Sequence, residues 1–331
     1  MALLLSPLPF LLLVLALLSA LLLAGRKARG RTAAWKLPPG PAKLPLIGNL
    51  HSLGSKLLHQ SLWQLSKKHG PLMHLKLGRV PVVVVSSPEL AKEVLKTHDH
   101  ECCTRPSHIS TAKFSYGRSD IALTQYGDRW RQLRKFCTVG FFSAKKINSF
   151  KGVRDQEMER TVKLICFHAR QSLVVNLSEL LLSLSCNITC RTAFGSRFDD
   201  GGDIHDMLRE AQAVLTAFFV SDYLPLLGWV DALRGMKARL KRIFLKFDGI
   251  YQRLIDDHID RMKQQQNGDE DILEALLRMQ KAGEDITEDN IKGLLANIFI
   301  EDVDMEEAPG ITVHRKSALC LMATEYEGKE D

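Results

Sequence analysis

The chain has 331 residues, of which 45% are hydrophobic and 25% charged, and its formal net charge is +7. That composition suits one large globular domain or two ordinary ones. The basic surplus is mild and does not call for a nucleic-acid partner. Its cations Arg26, Lys27, Arg29, Arg31 and Lys36 gather behind the first apolar run and point toward anionic lipid headgroups.

Residues 1–25 carry no charge and are dominated by Leu, Ala, Val and Phe. About 20 apolar residues at about 1.5 Å per residue cross a hydrocarbon core of roughly 30 Å, and Pro7 and Pro9 predict that the regular helix starts after them. A cleavable signal peptide is the competing reading, with Ser19, Ala20, Ala24 and Gly25 as cleavage positions. Against it, no basic residue precedes the apolar run while five follow it. The positive-inside rule then predicts an uncleaved single-pass anchor with the main body cytoplasmic.

Cysteine usage agrees with a reducing compartment. The seven cysteines, 102, 103, 137, 166, 186, 190 and 320, are odd in number and form no disulfide framework. Cys186 and Cys190 lie one helical turn apart, a spacing that suits a metal, yet no histidine set accompanies them and buried free thiols are expected. Two sequons, at Asn176 and Asn187, become glycosylation acceptors only if this region enters the secretory lumen. Their occupancy separates the two topologies.

Residues 26–50 read as a basic and proline-rich linker containing Pro38-Pro39-Gly40-Pro41, a rigid extended stretch. Leu58 to Lys68 has Leu58, Leu62 and Leu65 at helical spacing and is ended by His69-Gly70-Pro71. Two strands follow, Leu72 to Leu77 and Val80 to Val85, joined by Gly78-Arg79, with Pro81 confined to an edge. Ser87-Pro88-Glu89 opens a helix expected to carry Leu90, Val94 and Leu95 inward. In Tyr126-Gly127-Asp128-Arg129-Trp130-Arg131-Gln132-Leu133-Arg134-Lys135, Asp128 helps open another helix, and i,i+4 spacing puts Trp130 and Arg134 on one face. An indole N–H and a guanidinium fork can approach the same carboxylates from there. The same spacing also suits a surface Trp–Arg contact or a cation–π pair.

The anchor, basic stretch, Pro-Pro-Gly-Pro connector, early two-stranded sheet and W-x-x-x-R helix, in this order, resemble a plant-type microsomal cytochrome P450, a heme-thiolate monooxygenase. The resemblance implies a mainly α fold with a small β-sheet, here partial and preceded by an N-terminal transmembrane helix. It implies that Trp130 and Arg134 contact heme propionates and that residues 107–124 correspond to the first substrate-recognition loop. It further implies an endoplasmic-reticulum membrane location, a P450 reductase as electron donor and a small apolar substrate.

Beyond Phe141 the sequence is largely helical. Val174 to Phe194 resembles a core helix of the family ending near Gly195, and Asp222 to Asp231 a loop between lid helices. Met236 to Met262 is amphipathic, Gln264 to Gly268 is a polar break, and Glu288 to Ile300 opens a long helix with Ile291, Leu294, Leu295 and Ile298 at helical spacing. Family members continue that helix into an Ala/Gly-rich acid-alcohol segment. Here Glu301-Asp302-Val303-Asp304-Met305-Glu306-Glu307 follows, a poor continuation of a buried helix because desolvation is costly and like charges repel. Residues 301–326 instead resemble the family's extreme C-terminal tail, with Cys320 in a terminal strand.

The domain reading is therefore an anchor at 1–25, a linker at 26–50, the N-terminal part of a monooxygenase domain at 51–300 and a residual tail at 301–331, with an internal deletion between Ile300 and Glu301. None of the seven cysteines stands in the family's F-x-x-G-x-R-x-C-x-G ligand loop, so no catalytic residue and no metal ligand is nominated. Glu157-Met158-Glu159-Arg160 matches E-x-x-R but lies on the wrong helix to be the family's Glu-Arg pair. The expected product is an inactive isoform of doubtful heme retention. The alternatives are a noncatalytic membrane-anchored interaction protein and an incomplete gene model of an active enzyme.

Overall fold

The computed structural model describes residues 37–54, 57–197, 203–264, 270–300 and 320–322. The expected anchor at 1–25, the basic stretch and the acidic run at 301–307 lie outside them. The described chain is mainly helical with two two-stranded sheets, and it divides into two units.

The first unit comprises residues up to 103 together with 220–228. Its helix α1 (Leu58–His69) precedes β1 (Leu72–Leu77) and β2 (Val80–Val85), which pair antiparallel with Leu72 opposite Val85 and Leu77 opposite Val80. The strands and their two-residue turn match the expectation residue for residue: the valine run of β2 favours an extended strand, and Gly78, at positive φ, allows the tight turn back onto β1. Gly78 has φ +59°, and a Cβ there would lie 2.4 Å from the Tyr223 carbonyl oxygen, which accepts from Arg79 N at 2.9 Å. The proline-rich stretch lies along β1. Asn49, fully buried, donates from Nδ2 to the carbonyls of Pro41 (3.2 Å) and Ala42 (3.0 Å), and its Oδ1 accepts from Lys76 N at 2.8 Å. One amide side chain thereby fixes a connector whose prolines have no N–H of their own to give.

Helix α1 forms as expected, but its apolar spacing does not make a buried face: Leu58 is exposed, and Ser61 and Ser66 are the buried positions. A similar correction applies to α2 (Pro88–Lys92), which continues through a π-helical turn at Glu93–Thr97 into α3 (Asp99–Cys102). Ser87 caps α2 as expected, accepting from Leu90 N at 3.3 Å. Leu95, however, is 72% exposed rather than inward, because the wider π turn rotates it away from the helical face that Leu90 and Val94 share.

The second unit comprises residues 104–219 and 229 onward. It holds α4 (Ile109–Phe114), α5 (Asp128–Phe136), α6 (Ala144–Ser149), α7 (Lys151–Arg170), β3 (Val174–Asn176), α8 (Leu177–Phe194), α9 (Asp203–Leu215), α11 (Trp229–Leu233), α12 (Met236–Lys263), α13 (Ile272–Lys281), α14 (Glu288–Ile300) and β4 (Cys320–Met322). The short α10 (Val220–Tyr223) belongs to the first unit. Ile243, Phe247, Tyr251 and Ile255, four apart on α12, form a buried stripe that meets Cys190, Ala193 and Phe194 of α8, Leu273 and Leu276 of α13, and Ile291 and Leu295 of α14. This is the core of the unit.

One boundary differs from expectation. Val174–Asn176 is a strand, and α8 starts after it, with the Asn176 side chain accepting from Glu179 N at 3.2 Å. That strand pairs antiparallel with β4, placing Asn176 opposite Cys320. Cys320 therefore sits in a strand, the last one among the described residues. At the other end of α8, Gly195 is the left-handed cap expected there, at φ +67°. Both sequons fall on this helix, Asn176 as its cap and Asn187 in its interior, which is not the surface-loop setting glycosylation favours.

Candidate functional site

The candidate site lies in the second unit, where the segment 119–124 and α5 meet α14. Asp128 is the first residue of α5. One turn along, the Arg134 guanidinium stacks over the Trp130 ring, with its central carbon 4.9 Å from the ring centroid. Trp130 and Arg134 are thus brought together as their spacing required. The contact is a cation–π pair, one of the alternatives the spacing allowed. The indole N–H is already used: Trp130 Nε1 donates to the Ile121 carbonyl at 3.0 Å. Arg134 is exposed, and no carboxylate lies within ion-pair distance of it among the described residues.

Behind this pair the segment 119–124 is locked to α14. Asp120 is buried and accepts from Leu123 N at 3.0 Å and from Asn297 Nδ2 at 2.9 Å. Burial pushes its carboxyl above the usual range, against the opposing pull of those hydrogen bonds. Gly293 allows the approach, since a Cβ there would lie 3.1 Å from Asp120 Cβ and 3.2 Å from its backbone nitrogen. Asn290 closes the other end by donating to the Ser119 carbonyl at 2.6 Å, while its Oδ1 accepts from Thr287 Oγ1 at 2.8 Å and Thr287 N at 3.0 Å. Arg129 bonds Asn290 and reaches Asp285 Oδ2 at 2.7 Å. Asn297 Oδ1 is buried and has no partner among the described residues.

Sequence reasoning passed over Asp120, Asn290 and Asn297. The signal for Asn290 was present: Thr287 and Asn290 are three apart at the start of an apolar helix, which is a reciprocal capping pattern. Nothing local marks Asp120 or Asn297, whose pairing spans 177 positions.

An apolar groove of about 460 Å³ opens beside this latch. Its walls include Phe141, Phe142, Phe150, Ile188, Leu294 and Ile298, and Cys137, Arg154 and Asn297 also reach it. Cys137 begins the π-helical turn (Cys137–Phe141) that follows α5. It is buried, as a core thiol should be, and desolvation pushes its pKa up to about 11. A thiol so placed stays protonated near neutral pH as long as no metal binds it.

The remaining cysteine and acid motifs are structural. Cys186 and Cys190 are buried thiols with sulfurs 3.9 Å apart, in hydrogen-bonding contact rather than a disulfide. No group of three metal-ligating side chains occurs among the described residues. Glu157 does not pair with Arg160. Its two oxygens accept from Arg191 and Arg197, each at 2.7 Å, clamping α7 to α8 and its exit.

A cytochrome P450 family model matches residues 38–304. The chain is 43% identical over 281 residues to Cytochrome P450 71A9 of Glycine max, covering 82% of this chain and 55% of that protein. It is 41% identical over 298 residues to Cytochrome P450 71B10 of Arabidopsis thaliana, covering 87% and 58%. Strychnine-11-hydroxylase of Strychnos nux-vomica is 42% identical over 297 residues, covering 87% and 57%. The chain therefore spans little more than half the length of these curated relatives. The family model covers most of the chain, the mainly helical fold with an early antiparallel pair is consistent with it, and the chain belongs to the cytochrome P450 family.

Proposed function

We propose that this chain is a membrane-anchored cytochrome P450 homologue that does not assemble a heme-thiolate centre by itself. In the family, heme held by a cysteine thiolate supplies dioxygen activation. The donor set of the described residues does not fit that group. Trp130 and Arg134 are the residues we assign to propionate contact. Arg134 has charge to offer a carboxylate, but the indole N–H would first have to leave the Ile121 carbonyl.

The observation that carries the reading is that no cysteine of the sequence stands in the family's ligand-loop context; Cys137, three residues beyond Arg134, is a buried core thiol. No oxygen-transfer step is therefore assigned to this chain. We ascribe the shortfall to an internal deletion at Ile300–Glu301. The antiparallel pairing of β4 with β3 supports the view that residues around Cys320 are a terminal strand kept after such a deletion. The apolar segment 1–25 is assigned as a single-pass anchor in the endoplasmic-reticulum membrane with the body cytoplasmic, and reductase and a small apolar substrate are the partners of the complete enzyme type.

Two experiments test this. Transcript reads crossing Ile300–Glu301 are expected, and their absence assigns the chain to an incomplete gene model of an active enzyme. The full chain purified from a heme-supplemented host is expected to carry far less than one heme per chain and to show no reductase-dependent oxygen uptake. Stoichiometric heme with such uptake overturns the reading.

A further inference from the structure

The first 88 residues contain no Asp or Glu but carry eleven Lys and Arg, so this stretch holds +11 of charge and the rest of the chain −4. Within it, the first unit has an open cleft of about 550 Å³ between the 3₁₀ turn Leu50–Leu53 and α1. That is room for a small ligand, since pockets for such molecules run from about 300 to 1,000 Å³. Ser61, Gln64 and Lys68 lie at i, i+3 and i+7 on one face of α1, and Lys67 flanks them. Ser52 and Gly54 line the cleft from the 3₁₀ turn and its exit. No carboxylate lines it.

The lining groups hold unused donors and positive charge. Ser61 is only 6% exposed, yet its hydroxyl has no partner among the described residues, a costly state for a buried polar group unless a ligand or solvent meets it. Gln64 and Lys68 likewise make no side-chain hydrogen bond or ion pair among the described residues. Lys67 is held with Nζ 3.5 Å from the centroid of the Trp63 ring, which steadies a long side chain at the rim. Ser52 differs: His51 Nδ1 donates to the Gly48 carbonyl at 3.0 Å, so His51 Nε2 is left to accept from the Ser52 hydroxyl at 3.1 Å. Ser61 is therefore the hydroxyl donor of the cleft. The C-terminal end of α1 opposes an anion with only about half a negative charge, less than two ammoniums supply. We propose that the cleft binds a phosphate monoester, carried by a soluble small molecule or by a lipid headgroup. Such a group bears about −1.5 to −2 of charge at neutral pH, which Lys67 and Lys68 match, while Ser61 and the Gln64 amide donate to its oxygens. The cleft shares no residue with the candidate site, so this goes beyond the proposed function and does not rest on it.

The full chain in phosphatidylcholine nanodiscs is treated with an amine-acetylating reagent, and modified lysines are mapped by peptide mass spectrometry. Glycerol 3-phosphate serves as the soluble probe, and phosphatidic acid doped into the nanodisc as the lipid one. At saturation, acetylation of Lys67 and Lys68 should slow at least about threefold, while exposed Lys92 on α2 is unchanged. Protection by glycerol 3-phosphate assigns a soluble ligand, and protection by phosphatidic acid alone assigns a lipid headgroup; both uphold the monoester site. Ser61→Ala should raise the probe level needed for half protection at least about threefold, and because it deletes an unpartnered hydroxyl it should keep the wild-type circular dichroism and melting profile. Protection by neither probe, equal protection by the diester lipid phosphatidylglycerol, or protection indifferent to Ser61→Ala overturns the proposal. Transcript and oxygen-uptake results bear on the proposed function alone, so the two fail separately.

Discussion

Removing Glu157 tests the packing logic of the second unit most sharply. Its side chain is 4% exposed, and each oxygen accepts a 2.7 Å hydrogen bond from a different arginine. Breaking a buried ion pair by deleting one partner costs about 3–5 kcal/mol, because the surviving charge is left without a counterion. Here the arginines retain 22% and 21% exposure, and Arg191 keeps a 2.7 Å bond to Gln156 Oε1, so both guanidiniums recover some solvation. Arg197 Nε is buried without a partner among the described residues, so the clamp is also not fully satisfied to begin with. Glu157→Ala should therefore cost about 2–3 kcal/mol, below or at the low end of that range. With a urea slope of about 2–3 kcal/mol per molar, the unfolding midpoint should fall by about 1 M. Urea titration followed by far-ultraviolet circular dichroism reads this, with Arg160→Ala as the control, expected within about 0.5 kcal/mol of wild type. A Glu157→Ala loss below about 1 kcal/mol, or an Arg160→Ala loss as large, refutes the assignment of Glu157 to the α7–α8 clamp.

The latch gives two further predictions. Because burial raises the Asp120 pKa above its unfolded value, the folded chain prefers the protonated acid. Stability from this group is full below the unfolded pKa of about 4 and declines as pH rises through the higher folded value. Asp120→Asn should remove that decline and, with Asn297 flipped so that its free Oδ1 accepts from the new amide, stabilise the fold at pH 7 by about 1 kcal/mol. Urea midpoints that differ between variant and wild type by the same amount at pH 4 and pH 7 contradict this. Gly293→Ala should destabilise by about 1 kcal/mol, since overpacking against Asp120 of about 1–3 kcal/mol outweighs a helix-propensity gain of about 1 kcal/mol. A thermal melt showing a more stable variant would remove the close approach from the account. In maleimide labelling at pH 7.5, mapped by peptide mass spectrometry, exposed Cys102 should react at least about 100-fold faster than buried Cys137. Comparable native rates would mean that Cys137 is neither buried nor held protonated.

Local signals account for what was legible in the sequence. The strand pair around Gly78-Arg79, the Ser87 cap, the Gly195 terminus and the Met236–Lys263 helix each depend on neighbours within a few residues, and all formed as their residues required. Trp130 and Arg134 met for the same reason, one helical turn apart. Leu95 turned outward because a π turn, which no residue pattern announced, shifted the register of its helix. The start of α8 moved because Val174–Asn176 found a strand partner some 145 positions later. Asp120 and Asn297 stayed hidden for the same kind of reason, since only the fold brings them together. The contexts of the seven cysteines, none of which matches the family's ligand loop, are likewise a matter of neighbouring residues and are read from the sequence alone.

The most direct test of the account is the reduced carbon-monoxide difference spectrum of the full chain expressed with ample heme, beside one of its full-length relatives prepared identically. The account predicts no thiolate-type band for this chain and a clear one for the relative, with Cys137→Ser indistinguishable from wild type. A thiolate-type band from this chain, above all one abolished by Cys137→Ser, would contradict it.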